Sequence, residues 1–120
     1  MRIPKLPFHN IITEMLYTLF FQGECIFCET MIVSDFYPSA LSIPEHARYA
    51  LMIVEADPLQ YDKDLVVRFC EDGQNAQADF GMPLGHMGVY EVKGSGNMDR
   101  FTIIGIELGR HHKVRIQYFG

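Results

Sequence analysis

The side chains best suited to chemistry in this 120-residue chain are three cysteines, Cys25, Cys28 and Cys70, and five histidines. Cys25-x-x-Cys28 has the spacing of half a zinc site, which Cys70 and a histidine could complete, or of a redox dithiol. A zinc knuckle needs a turn, and neither Gly nor Pro lies between the two cysteines. A redox dithiol normally opens a helix, whereas Ile26 and Phe27 suit a strand. On a regular strand, residues three apart point to opposite faces, so the two sulfurs would not converge. The pair therefore reads as two small apolar residues, at least partly buried, and no metal or other cofactor is expected.

The densest basic stretch is Arg110-His111-His112-Lys113-Val114-Arg115. Arg110, His111, Lys113 and Arg115 could hold a phosphate or carboxylate at a sheet edge. The plainer reading is a solvated hairpin tip whose charge discourages edge-to-edge pairing. His9, His46 and His86 show no ligand spacing and read as exposed loop histidines. Asp57, Asp62, Asp64, Glu71, Asp72 and Asp79 lie in loops around one strand, but Asp62-Lys63-Asp64 lacks the ligand spacing of a calcium loop. The glycines of 81–88 and 94–96 form neither a P-loop nor a dinucleotide fingerprint. No serine sits in a nucleophile elbow. An enzyme is thus less expected than a binding protein.

The elements that must position these groups are mostly strands. Residues 1–9, with Pro4 and Pro7, read as an extended arm. Residues 10–22 fit two patterns. Ile11, Ile12, Met15, Leu16, Leu19 and Phe20 recur at helical spacing, with Asn10 as a cap and Gly23 as a stop. The same stretch also fits strand 11–21, turning at Gln22-Gly23 into strand 24–33. Residues 34–46 read as a long loop. Arg48–Glu55 is a nearly continuous apolar run, expected as a buried central strand. Strands are further expected at 64–70, 87–92, 101–108 and 113–119, with a turn at Glu71-Asp72-Gly73 and a flexible turn at 93–97. In the last strand Val114, Ile116 and Tyr118 alternate with Lys113, Arg115 and Gln117, as a half-solvated antiparallel sheet requires. The pattern predicts a mainly β protein: an antiparallel sandwich, immunoglobulin-like or C2-like, with an N-terminal helix if residues 10–22 follow the helical period.

Tyr49-Ala50-Leu51-Met52-Ile53-Val54, Leu65-Val66-Val67-Arg68-Phe69-Cys70-Glu71-Asp72-Gly73 and the closing stretch from Gly105 to Gly120 carry a loose resemblance. In its Asp-Gly turn after a middle strand and its Gly-x-x-x-φ-x-φ final strand, the chain over residues 24–120 resembles small uncharacterised bacterial β-sandwich domains. The resemblance implies a fold and carries no activity.

Composition bounds the rest. A chain of this length supports one domain, 1–120, divided into the arm, an apolar element at 10–33 and a β body at 34–120. Ten basic against 15 acidic residues give a net charge of −5, which disfavours nucleic-acid binding. No apolar run is long enough for a membrane helix. An odd cysteine count and a proline-interrupted N-terminus point to the cytoplasm. Residues 10–33 hold more apolar side chains than one face of one element buries. Met15, Leu16, Tyr17, Leu19, Phe20 and Phe21 are therefore expected to form an interface. The expected function is a non-enzymatic binding or assembly module, acting as a homo-oligomer or on a larger protein partner, with the basic residues as a polar rim.

Overall fold

The structure is a computed structural model that describes residues 23–120. The arm 1–9, the helix-or-strand alternative at 10–22 and the six candidate interface residues from Met15 to Phe21 lie outside the described residues. The strands are β1 (Cys25–Val33), β2 (Ser39–Ala40), β3 (Tyr49–Glu55), β4 (Val67–Cys70), β5 (Met82–Leu84), β6 (Val89–Lys93), β7 (Thr102–Gly105) and β8 (His112–Phe119). A 3₁₀ turn, Pro58–Gln60, follows β3, and a short helix, α1 (Ser95–Asp99), lies between β6 and β7.

Four antiparallel pairings nest inside one another: β1 with β8, β2 with β7, β3 with β6 and β4 with β5. One long hairpin, folded between β4 and β5, would produce these four pairs. In addition β8 pairs with β3, and β7 with β4. The hairpin is thereby wound into two four-stranded sheets, β1-β8-β3-β6 and β2-β7-β4-β5. The two antiparallel layers of the expected sandwich are present, and their strand order is that of a jelly roll.

The core between the layers follows from period-2 alternation. The first sheet turns Val33, Ala50, Met52, Val54, Val92, Val114, Ile116 and Tyr118 inward, and the second contributes Val67, Phe69 and Ile103. Phe69 sits among aromatic rings, with centroids 4.4 Å from Tyr90 and 5.6 Å from Phe101. The phenols packed on the core keep partners: the half-buried Tyr90 donates to Glu71 at 2.5 Å, and the buried Tyr118 donates to Glu29. Burial, then the Glu71 carboxylate, push the Tyr90 phenol up to about 12.

Several local expectations need correction. The flexible turn at 93–97 runs into α1, because Met98 is drawn fully into the core and Asn97 Nδ2 bonds Lys93 O at 2.9 Å. The weakly patterned stretch 74–86 contains β5, whose Pro83 is tolerated because β5 is an edge strand paired only with β4. The loop 34–46 contains the two-residue β2. Arg48–Glu55 was expected to be buried on both faces; in β3 only Ala50, Met52 and Val54 are buried, while Leu51 and Ile53 are half-exposed on the other side.

Candidate functional site

The outer face of the first sheet carries an apolar concavity. Cross-strand register sets its side chains in rows. Thr30, Arg115, Ile53 and Val89 are successive partners, and so are Cys28, Gln117, Leu51 and Glu91. All of these but Glu91 line a cavity of about 510 Å³, and the described residues around it all come from β1, β3, β6 and β8. Its floor is apolar at Leu51, Ile53 and Val89. Charge lies along the side: Arg115 Nε donates to Glu55 Oε1 at 2.7 Å, and its Nη1 donates to Thr30 Oγ1 at 3.3 Å. The guanidinium holds the Glu55 carboxyl below its ordinary value, and the carboxylate holds Arg115 above its own. Lys113 stands on the same face, across from Glu55, and Lys93 lies 3.8 Å from Glu91.

Of the four candidate anion-binding residues, the structure brings Lys113 and Arg115 together on this face, two residues apart on β8. Arg110 and His111 belong to the β7–β8 connection. Arg110 Nε lies 3.9 Å from Glu107. An anion recruited by Arg115 or Arg110 would have to compete with a carboxylate already in place.

The neighbouring His112 is fully buried, although sequence reading left it on a solvated tip. Its Nδ1 accepts the Asp57 N–H at 3.0 Å, which puts the proton of the neutral ring on Nε2. Burial pushes the His112 pKa down. Gln60, 3% exposed, donates to Glu107 beneath the same connection. His86 also departs from expectation: it is half-buried, stacks on Tyr61 at 4.1 Å, and accepts the Ala56 N–H at 3.1 Å. His46 is an exposed loop residue, as read from the sequence, and His9 lies outside the described residues.

The acidic loop residues serve turns and hydroxyls. Asp57 accepts Leu59 N–H at 3.0 Å to cap the 3₁₀ turn, Asp72 accepts Gln74 N–H at 3.1 Å, and Glu71 receives Tyr90. The Leu59 N–H and, next, the His111 N–H lower the Asp57 carboxyl, against burial.

The cysteines overturn the strand argument. Cys25 and Cys28 are exposed, and their sulfurs are 3.5 Å apart. The register of β1 shifts between Cys25 and Phe27, so Cys25 faces Phe119 while Cys28 faces Gln117. An extra residue in a strand reverses the faces that follow it. Both thiols therefore stand on the outer face. Cys70 is buried in the other sheet with Ala76 and Ile104, so the three thiols do not form one site. Among the described residues no three His, Cys, Asp or Glu side chains gather as a metal-binding group.

Sequence reasoning missed Leu51, Ile53, Val89, Thr30 and Gln117. A signal was present in β3: apolar residues at every position from Ala50 to Val54 mean that both faces of the strand prefer to be covered. Among the described residues, no helix is long and apolar enough to cross a membrane. No protein family, curated protein or solved structure matches the chain.

Proposed function

We propose that this protein is a non-enzymatic binding or assembly module, and that the outer face of β1-β8-β3-β6 docks against a second copy of the chain. The observation that carries this reading is the cavity floored by Leu51, Ile53 and Val89, half-exposed apolar side chains on a face that a free monomer would give to polar residues. Its rim supports a symmetric contact. A two-fold interface sets one patch against itself, so it needs both charge signs within that patch. Lys113, Arg115 and Lys93 stand here beside Glu55 and Glu91. The exposed Ile32 of β1, across from Lys113 on this face, extends the apolar area. In sequence β1 follows the apolar stretch from Met15 to Phe21, which was expected to form an interface.

The test is mass in solution. Wild-type protein is expected to sediment as a dimer at micromolar concentration. Ile53→Asp, and independently Leu51→Asp, are expected to halve that mass with unchanged far-ultraviolet circular dichroism. A monomeric wild type, or a dimer indifferent to both changes, would remove the reading.

A further inference from the structure

The thiol pair on β1 stands at the border of the face proposed above as a contact, with Cys28 lining its cavity, and its geometry has a consequence of its own. The bulge leaves Cys25 and Cys28 opposite Phe119 and Gln117, two successive outer-face positions of β8. That is one alternate step along a strand, about 6.8 Å of backbone. The side chains lean towards each other until the sulfurs are 3.5 Å apart, with a hydrogen bond between them. Among the described residues both lie on an edge strand of the sheet, and both are exposed.

Two chemistries suit a close pair of thiols, a disulfide and a shared metal ion. A disulfide needs sulfurs about 2.05 Å apart and Cα atoms at the near side of about 6.8 Å. Reaching it would draw together two residues whose spacing is set by pairing to β8. A tetrahedral zinc ion bound at about 2.3 Å to each of two thiolates leaves those sulfurs about 3.8 Å apart. The observed separation lies within a few tenths of an ångström of that value.

We propose that Cys25 and Cys28 form a two-thiolate site for a soft divalent cation, zinc in particular. On binding, each thiol loses its proton to solvent and each sulfur donates a lone pair to the metal. The cation replaces the proton that now lies between the two sulfurs. Because both thiols must give up their protons to bind the metal, zinc affinity should fall as pH drops. Among the described residues no third ligand joins the pair. The remaining positions go to water, or to the same two thiolates of a second copy.

The experiment uses full-length protein, purified with reductant and without a histidine tag, and titrated with zinc against a chromophoric chelator. One zinc per chain at unchanged mass supports the site with water as co-ligand. One zinc per two chains with doubled mass supports it with a second copy completing the tetrahedron. Cobalt(II) should give a thiolate charge-transfer band in either case. Cys25→Ser and Cys28→Ser should each abolish binding and the band, while Cys70→Ser leaves both unchanged. Zinc affinity equal in wild type and the Cys25→Ser/Cys28→Ser double variant would overturn the proposal. So would a reduced protein that binds no zinc yet closes readily to an internal Cys25–Cys28 disulfide in air. Dimerisation through the sheet face is read separately, by mass with excess chelator present, so either proposal can fail alone.

Discussion

The two sheets share a core and differ on their outer faces. Outside the second sheet, the segment 71–81 folds back over its own strands. Arg68 Nη1 and Nε donate to the carbonyls of Gly81 and Ala78 at 2.8 and 3.1 Å. The Thr102 hydroxyl donates to Gln74 O at 3.0 Å and accepts the Ala76 N–H at 3.0 Å. Under that cover Cys70, Ala76 and Ile104 form a small second core. The turn back is tight at Gly81, whose φ is +125° and where a Cβ would lie 2.8 Å from Phe69 O. Outside the first sheet, Leu51, Ile53 and Val89 have a comparable apolar character, but the described residues around them are only their own strands. Among the described residues, one face is crossed by a segment of the chain, and the other bears an apolar cavity lined by its own strands alone. The difference separates apolar residues covered within the fold from those that the proposed contact would cover.

That contrast breaks if the two faces respond alike to truncation. The largest effect is expected in the shared core: Phe69→Ala should cost about 3–5 kcal/mol in urea unfolding, through lost burial and the void left between the sheets. Next, Ile104→Ala on the covered face should cost about 2–4 kcal/mol, whereas Ile53→Ala on the open face should cost the monomer under about 1 kcal/mol and weaken association instead. Equal losses of monomer stability at the two positions would show that the first face is covered as completely as the second.

A smaller effect tests the cover itself. Arg68→Ala should lose about 1–3 kcal/mol, because the Gly81 and Ala78 carbonyls lose a charged donor. Limited proteolysis should then cut first within 71–81.

The pH dependence sharpens the comparison at the end of the sandwich. His112 has a folded pKa below its ordinary 6.5, through burial. Between the folded and unfolded values the unfolded chain binds the extra proton, so stability rises with pH in that window. It is lost as pH falls below about 6.5, by up to about 1.4 kcal/mol per unit. The urea midpoint of wild type should drop between pH 7.5 and 5.5, and His112→Asn should flatten that drop. Least affected should be Arg115→Ala. Its ion pair with Glu55 is solvent-exposed, so no resolvable change in monomer stability is expected, only a weaker salt dependence of association.

Much of the architecture was legible because strand alternation is a local property. Val114, Ile116 and Tyr118 against Lys113, Arg115 and Gln117 announced both faces of β8, and all three of the first set are buried. The strand at 48–55 was legible too, although its uniform apolarity pointed to full burial when its outer half belongs to a cavity. The helix α1 was not legible, since Gly94-Ser95-Gly96-Asn97 has the residues of a turn and the helical conformation depends on where Met98 must go. The buried state of His112 was hidden for a similar reason: its neighbours in sequence are basic, and its neighbours in space are loops from elsewhere in the chain.

By itself, the sequence determined which residues alternate, and hence that this is a layered β protein with inward and outward faces. Tertiary structure alone decided the winding of the hairpin into β1-β8-β3-β6 and β2-β7-β4-β5, the single extra residue that turns Cys25 to the side of Cys28, and which outer face is roofed by its own loop. The physical reason is range. Side-chain period is fixed within a few residues, whereas pairing partners, register shifts and loop cover depend on contacts between segments far apart in the chain.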